Sequence, residues 1–212
     1  MKKIIFTIII SILLFSCYKE KTSKLFLGST MNNYVNILEE QDNSINKNFT
    51  MQKGYISYLY SMISTDSKDL LSNKKISTLI KNAKTIYIQI GNLDFLRCIT
   101  YQDNEYIVNE EVLLNQKELF SYYYFLILEE ISLIFDGEIV LLSPYLNLKI
   151  TKNLSSIDSA LNEFFEVVHE VSVYFGCAYI DIRQVNLFFN DDNSLNIEGY
   201  EYLNRTIFYG NK

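Results

Sequence analysis

The chain has 212 residues, a net charge of −6, one histidine, three cysteines and no tryptophan. One histidine excludes zinc sites built from several histidines, and three widely spaced cysteines exclude zinc fingers and disulfide scaffolds, so we expect no metal and no cofactor. The size suits one domain, and with no basic cluster the chain lacks the pattern of a nucleic-acid partner.

The first segment has the layout of an export signal. Lys2 and Lys3 precede an apolar run over residues 4–15, which is too short to cross a bilayer. Ser16-Cys17 follows and resembles a bacterial lipobox, in which the cysteine is acylated. The alternative is a short buried strand or helix at the start of a cytosolic domain.

The lipobox interpretation divides the chain into three parts. We predict a signal peptide, then a tether that carries lipid of the palmitate type on Cys17, then the domain; these are residues 1–16, 17–24 and 25–212. The lipid would hold the exported protein at the cell membrane or an outer surface, with the membrane as a partner.

Apolar runs and helical patterns alternate along the rest of the chain. The predicted strands are residues 25–27, 55–62, 85–90, 138–142 and 178–182. The predicted helices are residues 31–40, 66–82, 109–135, 155–175 and 196–208, and the length of the third suggests one helix with a break or two helices in series. This alternation predicts an α/β fold with a five-stranded parallel sheet between helices, and a ligand site beyond the carboxyl ends of the strands.

Three segments at predicted strand ends carry a family resemblance. They are Ile-Gln-Ile-Gly-Asn-Leu-Asp at 88–94, Ala-Tyr-Ile-Asp-Ile at 178–182, and Asp-Asp-Asn-Ser-Leu-Asn-Ile-Glu-Gly-Tyr at 191–200. In order and spacing the chain resembles the SGNH (GDSL-like) hydrolases, which are esterases and acyl hydrolases on a flavodoxin-like α/β sheet. The resemblance implies a three-layer fold over nearly the whole mature chain.

The same resemblance places the family's catalytic groups on residues of different chemistry. The nucleophilic serine falls on Thr30, the oxyanion-hole glycine on Thr65, the oxyanion-hole asparagine on Leu93 and the catalytic histidine on Ser194, while the acid Asp191 is retained. The other retained positions belong to turns and helix starts; they are Gly91, Asp94, Asn196, Gly199 and Tyr200.

A serine hydroxyl needs a neighbouring base before it attacks an ester, and the side chain of Ser194 cannot supply one. We therefore predict a pseudoenzyme with no catalytic residues. Two alternatives stay open. A register shift of one would bring Ser29 and Asn92 to the lost positions, and carboxylates of Asp94, Asp191 and Asp192 could bind a cation or polarise water.

Three further features have structural interpretations. His169 lies inside a predicted helix and is expected to be a partly buried structural residue. Cys98 and Cys177 could pair, although buried thiols are favoured. At least one tyrosine of the run 122–124 should be exposed, because three consecutive residues cannot all face a core.

The leading hypothesis is an exported lipoprotein with a degenerate SGNH-type domain whose non-catalytic role is binding or structural, with a glycan or a protein as the candidate ligand at its pocket. The first rival is an active esterase or acyl hydrolase on a glycan or lipid ester that uses displaced residues. The second rival is an interaction protein on an unrelated α/β fold, which a strand order other than flavodoxin-like would favour.

Overall fold

A parallel sheet flanked by helices forms the framework of the domain. The computed structural model describes residues 23–28, 45–46, 55–63, 70–146, 154–190 and 195–209. Its strands are β1 Ser23–Leu27, β2 Ile45–Asn46, β3 Ala83–Gln89, β4 Ile99–Gln102, β5 Glu105–Val108, β6 Glu138–Leu142 and β7 Ala178–Ile180. Its helices are α1 Ile56–Ile63, α2 Leu70–Asn82, α3 Asn92–Leu96, α4 Glu110–Ser132, α5 Leu154–Phe175 and α6 Ile197–Asn204, with a 3₁₀ helix at Arg183–Phe188 and a π-helical turn at Arg205–Tyr209.

The five-stranded sheet has the order β2-β1-β3-β6-β7, and every neighbouring pair in it is parallel. This order is flavodoxin-like, with the switch point between β1 and β3. The predicted fold class is therefore confirmed, and the strand order that would have favoured the rival on an unrelated α/β fold is not found.

One predicted strand is wrong. In place of the strand predicted over residues 55–62, Ile56–Ile63 form helix α1, and its buried side chains Ile56, Leu59 and Ile63 recur at helical spacing. An apolar run of eight residues fits a buried strand and a buried helix equally well, and the spacing of three and four decides for the helix. The fifth strand of the sheet is the two-residue β2, which the sequence pattern does not reveal.

The other predicted elements that fall in the described residues are found. The helix predicted over residues 109–135 is α4, Glu110–Ser132, and the predicted break or division into two helices is wrong because this helix is continuous. The predicted final helix ends in the π-helical turn. The predicted helix at 31–40 lies outside the described residues. A two-stranded antiparallel hairpin, β4–β5, was not predicted; it turns at Asp103 and Asn104, whose φ values of 53° and 62° suit the residue types that tolerate this conformation.

Both faces of the sheet are buried. Leu25 and Leu27 of β1 face the larger core, which α1, α2, α4 and α5 cover, whereas Phe26 faces a smaller core closed by α6 and the turn after it. The same alternation holds in β3, where Ile86 and Ile88 face the larger core and Tyr87 the smaller one. Burial on both faces explains the near-continuous apolar runs.

The tyrosine run lies in the middle of α4. Tyr122 is exposed, as predicted for at least one member, and Tyr124 is fully buried. Burial raises the pKa of the Tyr124 phenol, whose hydroxyl has no hydrogen-bond partner in the described part of the chain.

Cys98 and Cys177 are free thiols, the first buried and the second partly buried. No helix among the described residues is long and apolar enough to span a bilayer.

Candidate functional site at the carboxyl edge of the sheet

The ends of β1 and β3 approach each other closely at the switch point. Gly28 follows β1 with a φ of +137°, and a methyl group on its Cα would lie 1.8 Å from the carbonyl oxygen of Gln89. Only glycine fits a left-handed residue in such contact with backbone. The crevice at which ligands bind in this fold class begins at this point.

The segment after β3 is built by retained residues. Gly91 precedes α3 with a φ of +113°, and a Cβ there would lie 2.8 Å from the ring of Phe120. The buried Asn92 accepts hydrogen bonds at its Oδ1 from the Gln89 side chain at 2.8 Å and from the Tyr145 amide at 3.1 Å. Its Nδ2 has no partner among the described residues. Asn92 therefore joins the ends of β3 and β6.

Leu93 is half-buried on the same short helix. Its side chain carries no donor that could stabilise an oxyanion. At the position that the resemblance assigns to the oxyanion-hole asparagine, the described structure thus has an apolar group next to a buried amide.

Asp94 acts as a distant cap for helix α1. Its buried carboxylate accepts the Ile56 amide at 3.0 Å and 3.3 Å across 38 residues of sequence. Negative charge at a helix amino terminus is favourable there. Burial nevertheless raises the pKa of Asp94 to about 6, against the lowering effects of the Ile56 hydrogen bond and the Arg97 charge.

This shift predicts a pH-dependent stability. Because the pKa of the folded chain lies above the ordinary value of 3.8, the folded state holds more protons between about pH 4 and pH 6. The free energy of unfolding should therefore fall by about 3 kcal/mol as the pH rises through that window. Asn at this position keeps the acceptor for Ile56 but cannot ionise, so Asp94→Asn should remove this fall in urea titrations.

The control for that titration is Glu166→Gln, at an exposed carboxylate of α5. It should leave the pH profile unchanged. Equal profiles for wild type and Asp94→Asn between pH 4 and pH 6 would contradict the burial argument.

A polar network closes the sheet edge after β6 and β7. The Ser143 hydroxyl accepts the Ile182 amide at 2.9 Å and donates to Asp181 at 3.3 Å. Arg183 donates from Nε to Asp181 at 2.7 Å and from Nη1 to Asn162 at 2.9 Å. Burial would raise the pKa of Asp181, but the hydrogen bonds and charge of Arg183 hold it below its usual value.

Beside this network lies a cavity of about 540 Å³ between the start of α5 and the 3₁₀ helix. Leu146, Leu161 and Phe165 contribute apolar walls, and the Arg183 guanidinium lies 4.4 Å from the centre of the Phe165 ring. The polar wall includes the side chains of Asp158, Asn162 and Gln184. A mixed lining and this volume are typical of small-ligand pockets.

His169 lies on α5, away from this edge. Arg183, just after β7, bonds to Asn162, and His169 follows Asn162 by two helical turns, about 10 Å toward the opposite edge. It is exposed, not partly buried as predicted, and its ring makes a T-shaped contact with Tyr179, with ring centres 5.4 Å apart. The neighbouring carboxylates of Glu166 and Glu170 are exposed as well.

Only some of the predicted site residues lie in the described part of the chain. Leu93 and Asp94 lie at the carboxyl edge of the sheet, whereas Cys17, Thr30, Thr65, Asp191 and Ser194 lie outside the described residues. In the described ranges no group of three or more acidic, cysteine or histidine side chains is placed to hold a metal ion.

The assignment of Thr65 needs correction, because the strand that placed it is helix α1. The second strand is β2, and in the sequence Gly54 comes between β2 and α1, in a stretch that lies outside the described residues. The loss of the oxyanion-hole glycine at Thr65 no longer follows.

Asn196 and Gly199, two retained residues of the last motif, have the structural roles predicted for them. The Asn196 side chain caps α6 by accepting the Gly199 amide at 2.8 Å, and a Cβ at Gly199 would lie within 2.8 Å of Leu195 and Phe188. Sequence reasoning missed Asn162, Phe165 and Arg183. The available signal was Asp181-Ile182-Arg183 directly after the last strand, where a charged pair marks the carboxyl edge.

Solved structures share this fold. An acetylxylan esterase from Geobacillus stearothermophilus superposes with a TM-score of 0.60 at 12% identity, over 89% of this chain and 93% of the other. The lipase Lip_vut3 from a goat rumen metagenome gives 0.66 at 17% identity, over 89% and 97%. LAE5, an α/β hydrolase enzyme from the metagenome of Lake Arreo in Spain, gives 0.62 at 10%, over 89% and 94%.

The chain therefore has the α/β fold of SGNH-type esterases, and at these identities the likeness concerns the fold alone. No family model and no curated protein matches the sequence. Two further matched structures are catalytic mutants of the acetylxylan esterase, one at an aspartate and one at a histidine three residues later.

Proposed function

We propose that this chain is an exported, lipid-anchored protein whose hydrolase-like domain binds a ligand without hydrolysing esters. The observation that carries the proposal is the position of the single histidine, His169, which lies on α5 about two turns away from the carboxyl edge. A triad at that edge needs an imidazole, and the sequence has Ser194 at the corresponding position.

The similar esterase structures support Ser194 as the position that corresponds to the catalytic histidine. The catalytic mutants of the acetylxylan esterase replace an aspartate and a histidine three residues apart. The matching spacing in this sequence is Asp191 and Ser194. Without the imidazole, a hydroxyl at Thr30 has no base to remove its proton.

The cavity beside Arg183 supports a binding role. Arg183 is held by Asp181, Asn162 and Phe165, so the polar groups around the pocket are oriented before a ligand arrives. The ligand we propose at this edge is a glycan or a protein segment. Hydrolysis of a nitrophenyl ester that Thr30→Ala abolishes would favour the active-hydrolase rival instead.

The anchor can be tested by one substitution. In cells that export and acylate lipoproteins, the wild-type chain should sediment with membranes and incorporate labelled palmitate. Cys17→Ala should move it to the soluble fraction without label, because the thiol is the acylation site. Cys98→Ala is the matched control and should leave both readouts unchanged. Membrane attachment that survives Cys17→Ala would contradict the lipoprotein assignment.

A further inference from the structure

One edge of the sheet collects the ends of two long helices. Ser23 at the start of β1 pairs with Ala83 at the start of β3, and Glu138 at the start of β6 pairs with Thr85. Helices α4 and α5 lead into β6 and β7, so both end at this same amino-terminal edge. The pocket beside Arg183 lies at the opposite, carboxyl edge.

Exposed apolar side chains follow those two helix ends. Leu133, directly after α4, is 78% exposed, while Val173 and Tyr174 in the last turn of α5 are 69% and 74% exposed. Tyr174 rests on an aromatic support, with ring centres 5.1 Å from Phe125 and 5.0 Å from Phe175. A tyrosine held in this way presents an apolar body with a polar tip, which suits a membrane–water interface.

The chain that precedes the sheet also reaches this edge. Five residues, 18–22, separate Cys17 from Ser23. Even fully extended, that stretch spans only about 20 Å. With lipid on Cys17, the amino-terminal edge is therefore the part of the domain closest to the bilayer.

The charges at this edge do not select anionic lipid. Lys81 and Lys84 are exposed at the start of β3, and Glu129, Asp136 and Glu138 are exposed between the end of α4 and the start of β6. Acidic groups that at least balance the basic ones give little attraction to an anionic surface. Contact with a bilayer would therefore depend on the apolar side chains and should occur on zwitterionic lipid.

We propose that this edge, through Leu133, Val173 and Tyr174, docks on the lipid bilayer and that the domain presents its ligand pocket away from the membrane. The inference rests on the proposed lipid anchor at Cys17. It adds an orientation: the apolar side chains enter the headgroup region, as in interfacial helices. The carboxyl edge with Arg183 faces the surrounding solution.

The absence of tryptophan from the chain makes the test clean. Tyr174→Trp places the only tryptophan of the chain at the proposed contact, and Leu187→Trp places it at the opposite edge, where Leu187 is 79% exposed. The lipidated full chain is reconstituted in phosphatidylcholine vesicles with and without brominated acyl chains. Quenching by the brominated lipid should be at least about threefold stronger for Tyr174→Trp than for Leu187→Trp.

Each outcome decides one claim. Equal quenching at both positions on attached protein overturns the proposed orientation and leaves the anchor intact. If wild type does not attach to the vesicles and Cys17→Ala behaves in the same way, both the proposed anchor and the proposed orientation are wrong. A blue shift of Tyr174→Trp that depends on protein concentration and not on lipid means that a second copy covers this edge, and also overturns the proposal.

Discussion

Replacing Gly28 by alanine should destabilise the domain by about 4 kcal/mol or more, which is a large share of the stability of an ordinary domain. The added Cβ would lie 1.8 Å from the Gln89 carbonyl oxygen, and backbone cannot rotate out of the way as a flexible side chain can. The end of β1 would have to separate from β3. The urea midpoint of residues 18–212 should therefore fall sharply, or the variant should fail to fold.

Gly176→Ala is the matched control for that experiment. Gly176 also has a positive φ, of +66°, but a Cβ there would have no neighbour within 4 Å. It should cost only the conformational strain, about 1 kcal/mol. A Gly28→Ala midpoint equal to that of Gly176→Ala would show that the close approach of β1 and β3 is absent.

Restoring the nucleophile, the oxyanion donor and the base should create ester hydrolysis, because the fold that would hold these groups is present. The combined variant Thr30→Ser, Leu93→Asn and Ser194→His returns nucleophile, oxyanion donor and base at the positions given by the resemblance. Removal of a triad member costs 10³-fold or more, so we expect a gain of about 10³-fold in nitrophenyl acetate hydrolysis over wild type.

The control for the restored variant lacks only the hydroxyl group at position 30. Thr30→Ala combined with the same Leu93→Asn and Ser194→His changes should show no gain, because it lacks the hydroxyl. A folded restored variant without activity above this control would contradict the register that places Thr30, Leu93 and Ser194 in one site.

Most of the fold is predictable from the sequence because both faces of the sheet are buried. The apolar runs at β3 and β6 have strand length and end at glycine or Ser-Pro, so they are identified correctly. The run at 55–62 is equally apolar, and its helical contacts with the larger core decide its structure instead. Strand β2 has only two residues and too little pattern to be recognised.

The candidate site is less predictable, because its geometry depends on contacts distant in sequence. Asp94 is recognisable as part of a motif, yet its role as a cap depends on Ile56, 38 residues earlier. Arg183 is positioned by its hydrogen bond to Asn162, which lies 21 residues away on α5. No local pattern encodes such pairs. The glycines at 28 and 91, by contrast, directly follow the predicted strands 25–27 and 85–90, so the sequence alone indicates a turn at each.

The central claim is that this hydrolase-like fold does not hydrolyse esters, and the turnover of purified residues 18–212 on nitrophenyl acetate tests it most directly. Wild type and Thr30→Ala are compared at equal concentration, with folding verified by circular dichroism. We predict identical rates, both at the level of the spontaneous reaction. Turnover by wild type that disappears in Thr30→Ala would contradict the account and identify an active hydrolase.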